Sequence, residues 1–496
     1  PKLLGLQAAL PLLLTGKKVN GTKARKLGLV DNVADPFALS AAAEQQALAL
    51  VEGSGAVRST PAGLKGVGGY VDRVLTSVGP ARNFALKKAR EQVMKQTGGK
   101  MPAPLAILRV VEAGLVGGFD AGLEAEATHF GSLGFTPESR ALVSIFNGQT
   151  ALKKSPVGAP KNPVQRVGVV GAGLMGAGIA TVSAAKGFPV VLRDTSEAGL
   201  ARGLAQIDGV FAGKVKRRQL GEAEAARAAA AVVGTADPKL WRDHMATTDL
   251  VIEAVFEDLK VKHAVIADLE AVVSKDAVIA TNTSALPIRD VARGARHPER
   301  ILGMHYFSPV DKMPLLEIIT HEGTSKEAVA RAFRLGSAQG KTVIVVKDVP
   351  GFYVNRCLGP YMAEGMALLA AGVDPLAIDR ALKSFGFPVG PITLIDEVGV
   401  DVASHVNSFL SKDLGVRMAG SEAGLSLLAS MLEKDLKGRK SGEGFFVYGK
   451  GNKSKELSEQ TAAMLPSEKV EMDDETIVDR MILRFVNEAA LCVQEG

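Results

Sequence analysis

The chain has 496 residues, 47% apolar and 23% charged, with a formal net charge of +6. That length exceeds one ordinary core and predicts roughly two to four domains, and the composition predicts a folded, soluble chain without an apolar run of membrane length. The positive charge is spread along the chain, and its densest run, Lys214 to Arg218, has no interleaved aromatics, which argues against a nucleic-acid surface.

A modest basic excess still favours anionic, phosphate-bearing ligands. Two cysteines, Cys357 and Cys492, are too few for a disulfide framework and lack metal-ligand spacing, so buried thiols in a reducing compartment are expected.

In chain order, PKLLGLQAALPLLLTG begins in mid-pattern without an initiator methionine, and Gly5, Gln7 and Pro11 interrupt its apolar run. It reads as neither signal peptide nor membrane span. The far end, RMILRFVNEAALCVQEG, stops as a helix completes, so the chain reads as a fragment. Residues 1–150 read mainly as helices, with GTKARKLGLVD as helix then turn and a glycine-rich loop near Gly63 to Gly69. Residues 152–165, LKKSPVGAPKNPVQ, hold three prolines and no apolar periodicity, which predicts a linker.

After it the pattern changes. RVGVVG, PVVLRD, DLVIEAV, AVIATNTS, RILGMHYF and TVIVVKD are short β-branched runs with helical stretches between most of them. This alternation predicts an α/β domain with a mostly parallel sheet over residues 162–348. From Gly351 the strands cease and an all-α domain over 349–450 follows, with helices carrying Ala, Leu and Met faces. Residues Arg356 to Gly372 align without gaps to Arg480 to Gly496, sharing the arginine, Glu364 with Glu488, and the closing glycine. A duplicated helical unit starting near 475 and cut short is the expectation.

RVGVVGAGLMGAGIA sets Gly171, Gly173 and Gly176 in G-x-G-x-x-G spacing, directly after a strand and at the opening of a helix. The first glycine permits a tight turn, the second lets backbone approach a pyrophosphate, and the third lets helix pack on strand. The N–H groups at the helix start, around Leu174 and Met175, attract phosphate. Asp194 ends PVVLRD 23 residues beyond Gly171, where a carboxylate accepts from an adenosine ribose hydroxyl. This Rossmann-type fingerprint predicts NAD rather than NADP. Arg193 is the one caution, since an arginine turned inward there accommodates a 2′-phosphate.

The stretch GMHYFSPVDKMPLLE places His305 and Glu317 twelve positions apart in apolar surroundings. Oxidising a secondary alcohol needs a base near the hydroxyl oxygen, and an imidazole braced by a buried carboxylate suits that role. The two meet if the chain turns back through SPVDKMP, laying the strand of Glu317 beside that of His305. Ser284 in NTSAL lies at the carboxyl end of a strand, and Asn355 in GFYVNR opens the first helix after the last strand. A hydroxyl and an amide there suit a substrate oxygen that changes from alcohol to ketone.

GAGLMGAGIA, VIEAVFEDLKVKH, NTSALPI, GMHYFSPVDKMPLLEIIT, VVKDVPGFYVNRC and GRKSGEGFFVY together resemble the ordered motifs of 3-hydroxyacyl-CoA dehydrogenases, over about residues 162–450. The intervals between Ser284, His305, Glu317 and Asn355 are 21, 12 and 38, as in that family. The resemblance implies NAD-dependent oxidation of an L-3-hydroxyacyl-CoA to the 3-ketoacyl-CoA, with His305 as base, Glu317 as its partner, and Ser284 and Asn355 on the substrate oxygen. It implies cofactor contacts by Glu257, Lys262 and Ser284, and by Ser308, where many members carry asparagine. The acyl chain is expected between the sheet domain and the helical domain.

Residues 1 to about 35 resemble the end of a crotonase-like enoyl-CoA hydratase domain, and the helices after them the linker of multifunctional β-oxidation enzymes, most of all mitochondrial ones. That implies a thiolase β-subunit as partner, peripheral inner-membrane association, a mitochondrial setting or else bacterial cytoplasm, and a hydratase site outside this chain. Two other classes stay open: a small β-hydroxyacid dehydrogenase, which relies on a lysine, and a non-catalytic NAD-binding scaffold. NTSALPI followed by GMHYF argues against the first, and the intact quartet against the second.

Overall fold

A computed structural model describes residues 1–54, 66–449 and 455–496. Two compact units divide the chain, Pro1–Gly148 and Gln149–Gly496.

The first unit is helical: α1 (Leu6–Thr15), α2 (Gly21–Leu27), α3 (Leu39–Val51), α4 (Gly66–Ser77), α5 (Gly79–Thr97), α6 (Pro102–Gly134) and most of α7 (Pro137–Ala151). Leu6, Leu10, Leu86, Val93, Leu108 and Val111 form its core. Gly118 breaks the helical backbone of α6 with a φ of +89°, a conformation glycine adopts without a Cβ clash. Two expectations are corrected here. Gly66, Gly68 and Gly69 open helix α4 instead of lying in a loop, while residues 63–65 lie outside the described residues. Helix α6 is also long and apolar enough to cross a membrane by length and composition, with 17% of its apolar window buried, where no such run was expected.

The second unit carries a sheet of β1 (Val167–Val170), β2 (Val190–Arg193), β3 (Val232–Thr235), β4 (Leu250–Glu253), β5 (Val278–Thr281), β6 (Ile301–Tyr306), β7 (Leu315–Thr320) and β8 (Thr342–Lys347). The order is β3–β2–β1–β4–β5–β6–β7–β8, and every neighbouring pair is parallel except β6 with β7. Strands buried on both faces read as continuous apolar runs, and β1, β4 and β5 are buried along their whole length. Val167 and Val169 join one core with Leu192 and Ile252, while Val170 joins another with Val191, Val251, Trp241 and Ile266. Alternate residues thus face opposite layers.

The intervening helices are α8 (Leu174–Ala184), α9 (Glu197–Lys216), α10 (Glu222–Ala230), α11 (Leu240–Met245), α12 (Leu259–Glu270), α13 (Ile288–Ala292) and α14 (Lys326–Ala338). Ser196, Asp258 and Ser325 cap three of them through side-chain oxygens. Strand order reverses between β2 and β4 on either side of β1, which puts a crevice at the carboxyl end of β1.

Beyond β8 come α15 (Val354–Ala370), α16 (Pro375–Phe385), α17 (Pro391–Val398), α18 (Val400–Leu414), α19 (Glu422–Glu433), α20 (Glu459–Ala462) and α21 (Asp474–Glu495). Leu368, Ile378, Leu382, Ile392, Phe445 and Met481 are among the residues of their core. The two aligned segments, α15 and α21, pack on each other reciprocally. Arg356 Nε meets Glu488 at 2.6 Å, and Arg480 Nη2 meets Glu364 at 2.6 Å, so the arginine of each segment pairs with the glutamate of the other.

Candidate active site

The glycine turn sits where β1 delivers the chain to α8. Gly171 has a φ of +97°, and a Cβ on it would fall 2.6 Å from the Ala254 carbonyl oxygen; a Cβ on Gly176 would fall 1.7 Å from the Gly171 oxygen. Among the described residues nothing lies within 4 Å of that position at Gly173. Strand and helix therefore press together at the first and third glycines while the second faces open space, with Leu174 exposed and Met175 half-buried at the first turn of the helix. That turn directs its N–H groups to the same opening.

Asp194 closes one side of this crevice. Its Oδ2 accepts from Ala172 N at 2.9 Å and its Oδ1 from Ser196 N at 3.0 Å, which fixes the carboxylate while leaving acceptor capacity on both oxygens. Arg193, one residue earlier on the strand, faces the other way: its guanidinium stacks on the Trp241 ring at 3.7 Å and lies 3.8 Å from Asp268. Burial lowers the pKa of that guanidinium from its ordinary value.

Lys262 and Glu257 meet on the opposite side. Lys262 is buried on α12, with Nζ 2.9 Å from Glu253 Oε1 and 3.3 Å from Glu257 Oε2. The other oxygen of Glu257 accepts from Thr283 Oγ1 at 2.5 Å and from Ser284 N at 3.0 Å. The loop after β5 is thereby tied to the loop after β4. Asn282 Oδ1 accepts from Tyr306 N at 2.9 Å and ties it to the end of β6 as well.

His305 on β6 and Glu317 on β7 stand directly opposite each other in the antiparallel pair. Nδ1 of His305 lies 2.6 Å from Glu317 Oε2, and both side chains are buried. The second carboxylate oxygen accepts from Tyr353 N at 3.0 Å and Val354 N at 2.9 Å, the amides that open α15. Asn355, the next residue, donates from Nδ2 to the Ser284 carbonyl at 3.0 Å. One constellation thus gathers His305, Glu317, Ser284, Asn355 and Glu257. Ser308 lies exposed in the turn just past β6.

The family model described as 3-hydroxyacyl-CoA dehydrogenase, NAD binding domain, matches residues 166–349, and the model of the C-terminal domain of the same enzymes matches 351–448. The chain belongs to the 3-hydroxyacyl-CoA dehydrogenase family. Curated relatives include the fatty acid oxidation complex subunit alpha of Idiomarina loihiensis, 43% identical over all of this chain and 68% of that protein, and that of Shewanella amazonensis, 42% identical over all of this chain and 69% of its own length. Among solved structures, (S)-3-hydroxybutyryl-CoA dehydrogenase of Ralstonia eutropha superposes with a TM-score of 0.54 at 34% identity, covering 58% of this chain and 99% of its own. The 3-hydroxybutyryl-CoA dehydrogenase of Escherichia coli gives 0.54 at 34% identity over 58% of this chain and 60% of that one.

This 3-hydroxyacyl-CoA dehydrogenase is an NAD-dependent oxidoreductase. The turn fits a dinucleotide, because the space beside Gly173 and the helix N–H groups suit a pyrophosphate and Asp194 suits a ribose hydroxyl. The relatives named above are bacterial and lend no support to the mitochondrial setting that the resemblance implied. Sequence reading missed Glu253, Thr283 and Asn282, whose partners lie on a helix, a loop and a strand apart from them; the only signals were an acid ending an apolar strand and the polar residues just ahead of Ser284.

Proposed function

We propose that this chain oxidises an L-3-hydroxyacyl-CoA to the 3-ketoacyl-CoA as the dehydrogenase step of fatty-acid oxidation, with His305 as the general base. The observation that carries the reading is the buried His305–Glu317 pair, 2.6 Å apart, with the second carboxylate oxygen held by two backbone amides. NAD, when bound, supplies the hydride acceptor. His305 takes the hydroxyl proton at Nε2, since Nδ1 is committed to Glu317. Glu317 fixes the ring and stabilises the imidazolium that forms. The Ser284 hydroxyl and the Asn355 amide orient the substrate oxygen, while Glu257, Lys262 and Ser308 shape the cofactor side.

The reading leaves hydration of the enoyl thioester to residues other than those in this chain. The relatives' name, fatty acid oxidation complex subunit alpha, supports assembly into a hetero-oligomer. We assign the partner as a thiolase β-subunit in a bacterial cytoplasm, with the apolar helix α6 as the segment to examine for peripheral membrane contact.

The test is NADH formation from 3-hydroxyacyl-CoA by wild type and His305→Gln. Loss of turnover by about 10²-fold or more, with NADH still bound, is expected. Wild-type turnover in the variant would refute the role of the imidazole. A wild-type chain that binds NADH yet oxidises no hydroxyacyl-CoA would instead be a scaffold.

A further inference from the structure

The hydrogen bond from Nδ1 to Glu317 fixes a direction for the His305 ring but not its plane, because rotation of histidine about its last torsion is broad and roughly two-fold. Two aromatic rings supply what is missing. The Phe307 centroid lies 4.4 Å from that of the imidazole, and the Phe352 centroid lies 5.8 Å away with the planes at 61°. Phe307 lies two residues beyond His305, just past the end of β6, and is partly exposed. Phe352 arrives from the turn between β8 and α15, is 1% exposed, and packs with Ile288 and Ile319.

The backbone at Phe352 is left-handed, with a φ of +54°. A bulky side chain is disfavoured in that region by its Cβ, so the surroundings must enforce it. Gly351 precedes it at a φ of +72°, where a Cβ would meet the Leu410 side chain at 2.6 Å and Arg356 N at 3.0 Å. These two left-handed residues turn the chain so that the Phe352 ring meets the imidazole while the next two N–H groups reach Glu317.

We infer that Phe352 is a positioning residue of the dehydrogenase reaction: with Phe307 it fixes the plane of the His305 ring, so that Nε2 stays aimed at the substrate hydroxyl. This rests on the reading of His305 as base. A ring free to rock spends less time in the reactive geometry, so the effect belongs in kcat and not in binding.

Wild type, His305→Gln, Phe352→Leu and Phe352→Gly are compared by steady-state kinetics on 3-hydroxybutyryl-CoA with NAD, by fluorescence titration of NADH, and by thermal unfolding. Leucine keeps apolar bulk without the ring; glycine accepts the left-handed backbone without strain. Both are expected to lower kcat about 10-fold or more, with KM and the NADH Kd within about two-fold of wild type. The inference is overturned by wild-type kcat in Phe352→Leu, by recovery of kcat in Phe352→Gly, by a parallel loss of NADH binding, or by unfolding of both variants. Wild-type turnover of His305→Gln would sink the parent reading; an inactive His305→Gln beside an unaffected Phe352→Leu would sink this inference alone.

Discussion

Both oxygens of Glu317 are occupied, one by the imidazole and one by two amides, so a glutamine that keeps the two N–H contacts on its oxygen must donate to Nδ1 and leave the ring proton on Nε2, the wrong tautomer for a base. Glu317→Gln should lower kcat by about 10²-fold or more with the NADH Kd nearly unchanged, measured by turnover and by NADH titration. The glycines of the turn divide by the same logic. Gly176→Ala drives a Cβ into the Gly171 carbonyl and should lower the thermal midpoint and abolish NADH binding; Gly173→Ala meets nothing within 4 Å among the described residues and should keep the midpoint while weakening NADH by about 10-fold or more. The reverse order of thermal effects would contradict the packing described. The histidine–glutamate pair was legible because twelve residues containing two prolines have few ways to run between two apolar strands. Glu253 was not legible: its partner Lys262 reaches it only because α12 folds back beneath the end of β4.

Among the elements, α21 and α15 are joined by pairs of different worth. Arg356 and Glu488 are 4% and 3% exposed, but Arg356 also pairs with Glu495, so removing Glu488 costs a buried charged hydrogen bond, about 1.5–3 kcal/mol, without leaving the guanidinium alone. Glu488→Gln should therefore lower stability by about 1.5–3 kcal/mol, while Arg480→Ala, at a pair whose arginine is 42% exposed, should change it by less than about 1 kcal/mol. Denaturant unfolding of both variants measures the contrast. Glu495 adds a pH dependence. The Arg417 and Arg356 guanidiniums pull its carboxyl down to about 2 from an ordinary 4.5. A depressed carboxylate stabilises the fold above its unfolded value and loses that contribution as pH falls through the folded one. The advantage of wild type over Glu495→Gln should be full above about pH 4.5 and vanish towards pH 2, as read from thermal midpoints across that window. The reciprocal ion pairs match the alignment of the two segments found in sequence. Strand β3 escaped notice because it is four residues long, half-exposed at the sheet edge, and preceded by an alanine run that reads as helix.

For the molecule as a whole, residues 152–165 carry neither helix nor strand, are mostly exposed, and follow the boundary between the two compact units. Such a segment is a preferred site of proteolytic nicking. Trypsin should cut first at Lys153, Lys154 or Lys161, and the C-terminal product, which contains both matched family segments, should still bind NADH. Cutting within the sheet first would contradict the division. Cofactor choice was readable in outline from Asp194, whereas the caution at Arg193 needed coordinates, since only they show its guanidinium on Trp241. The helical first unit was legible as helices, but the break at Gly118 was not, because a glycine inside an apolar stretch looks the same whether or not the helix runs through it.

The two amides that Glu317 borrows from the start of α15 have a consequence for how freely that helix can move. Swinging it outward would strip the carboxylate of both donors and loosen the seat of the histidine with it. Any outward motion of that helix is thereby coupled to the orientation of the imidazole, since one carboxylate grips both.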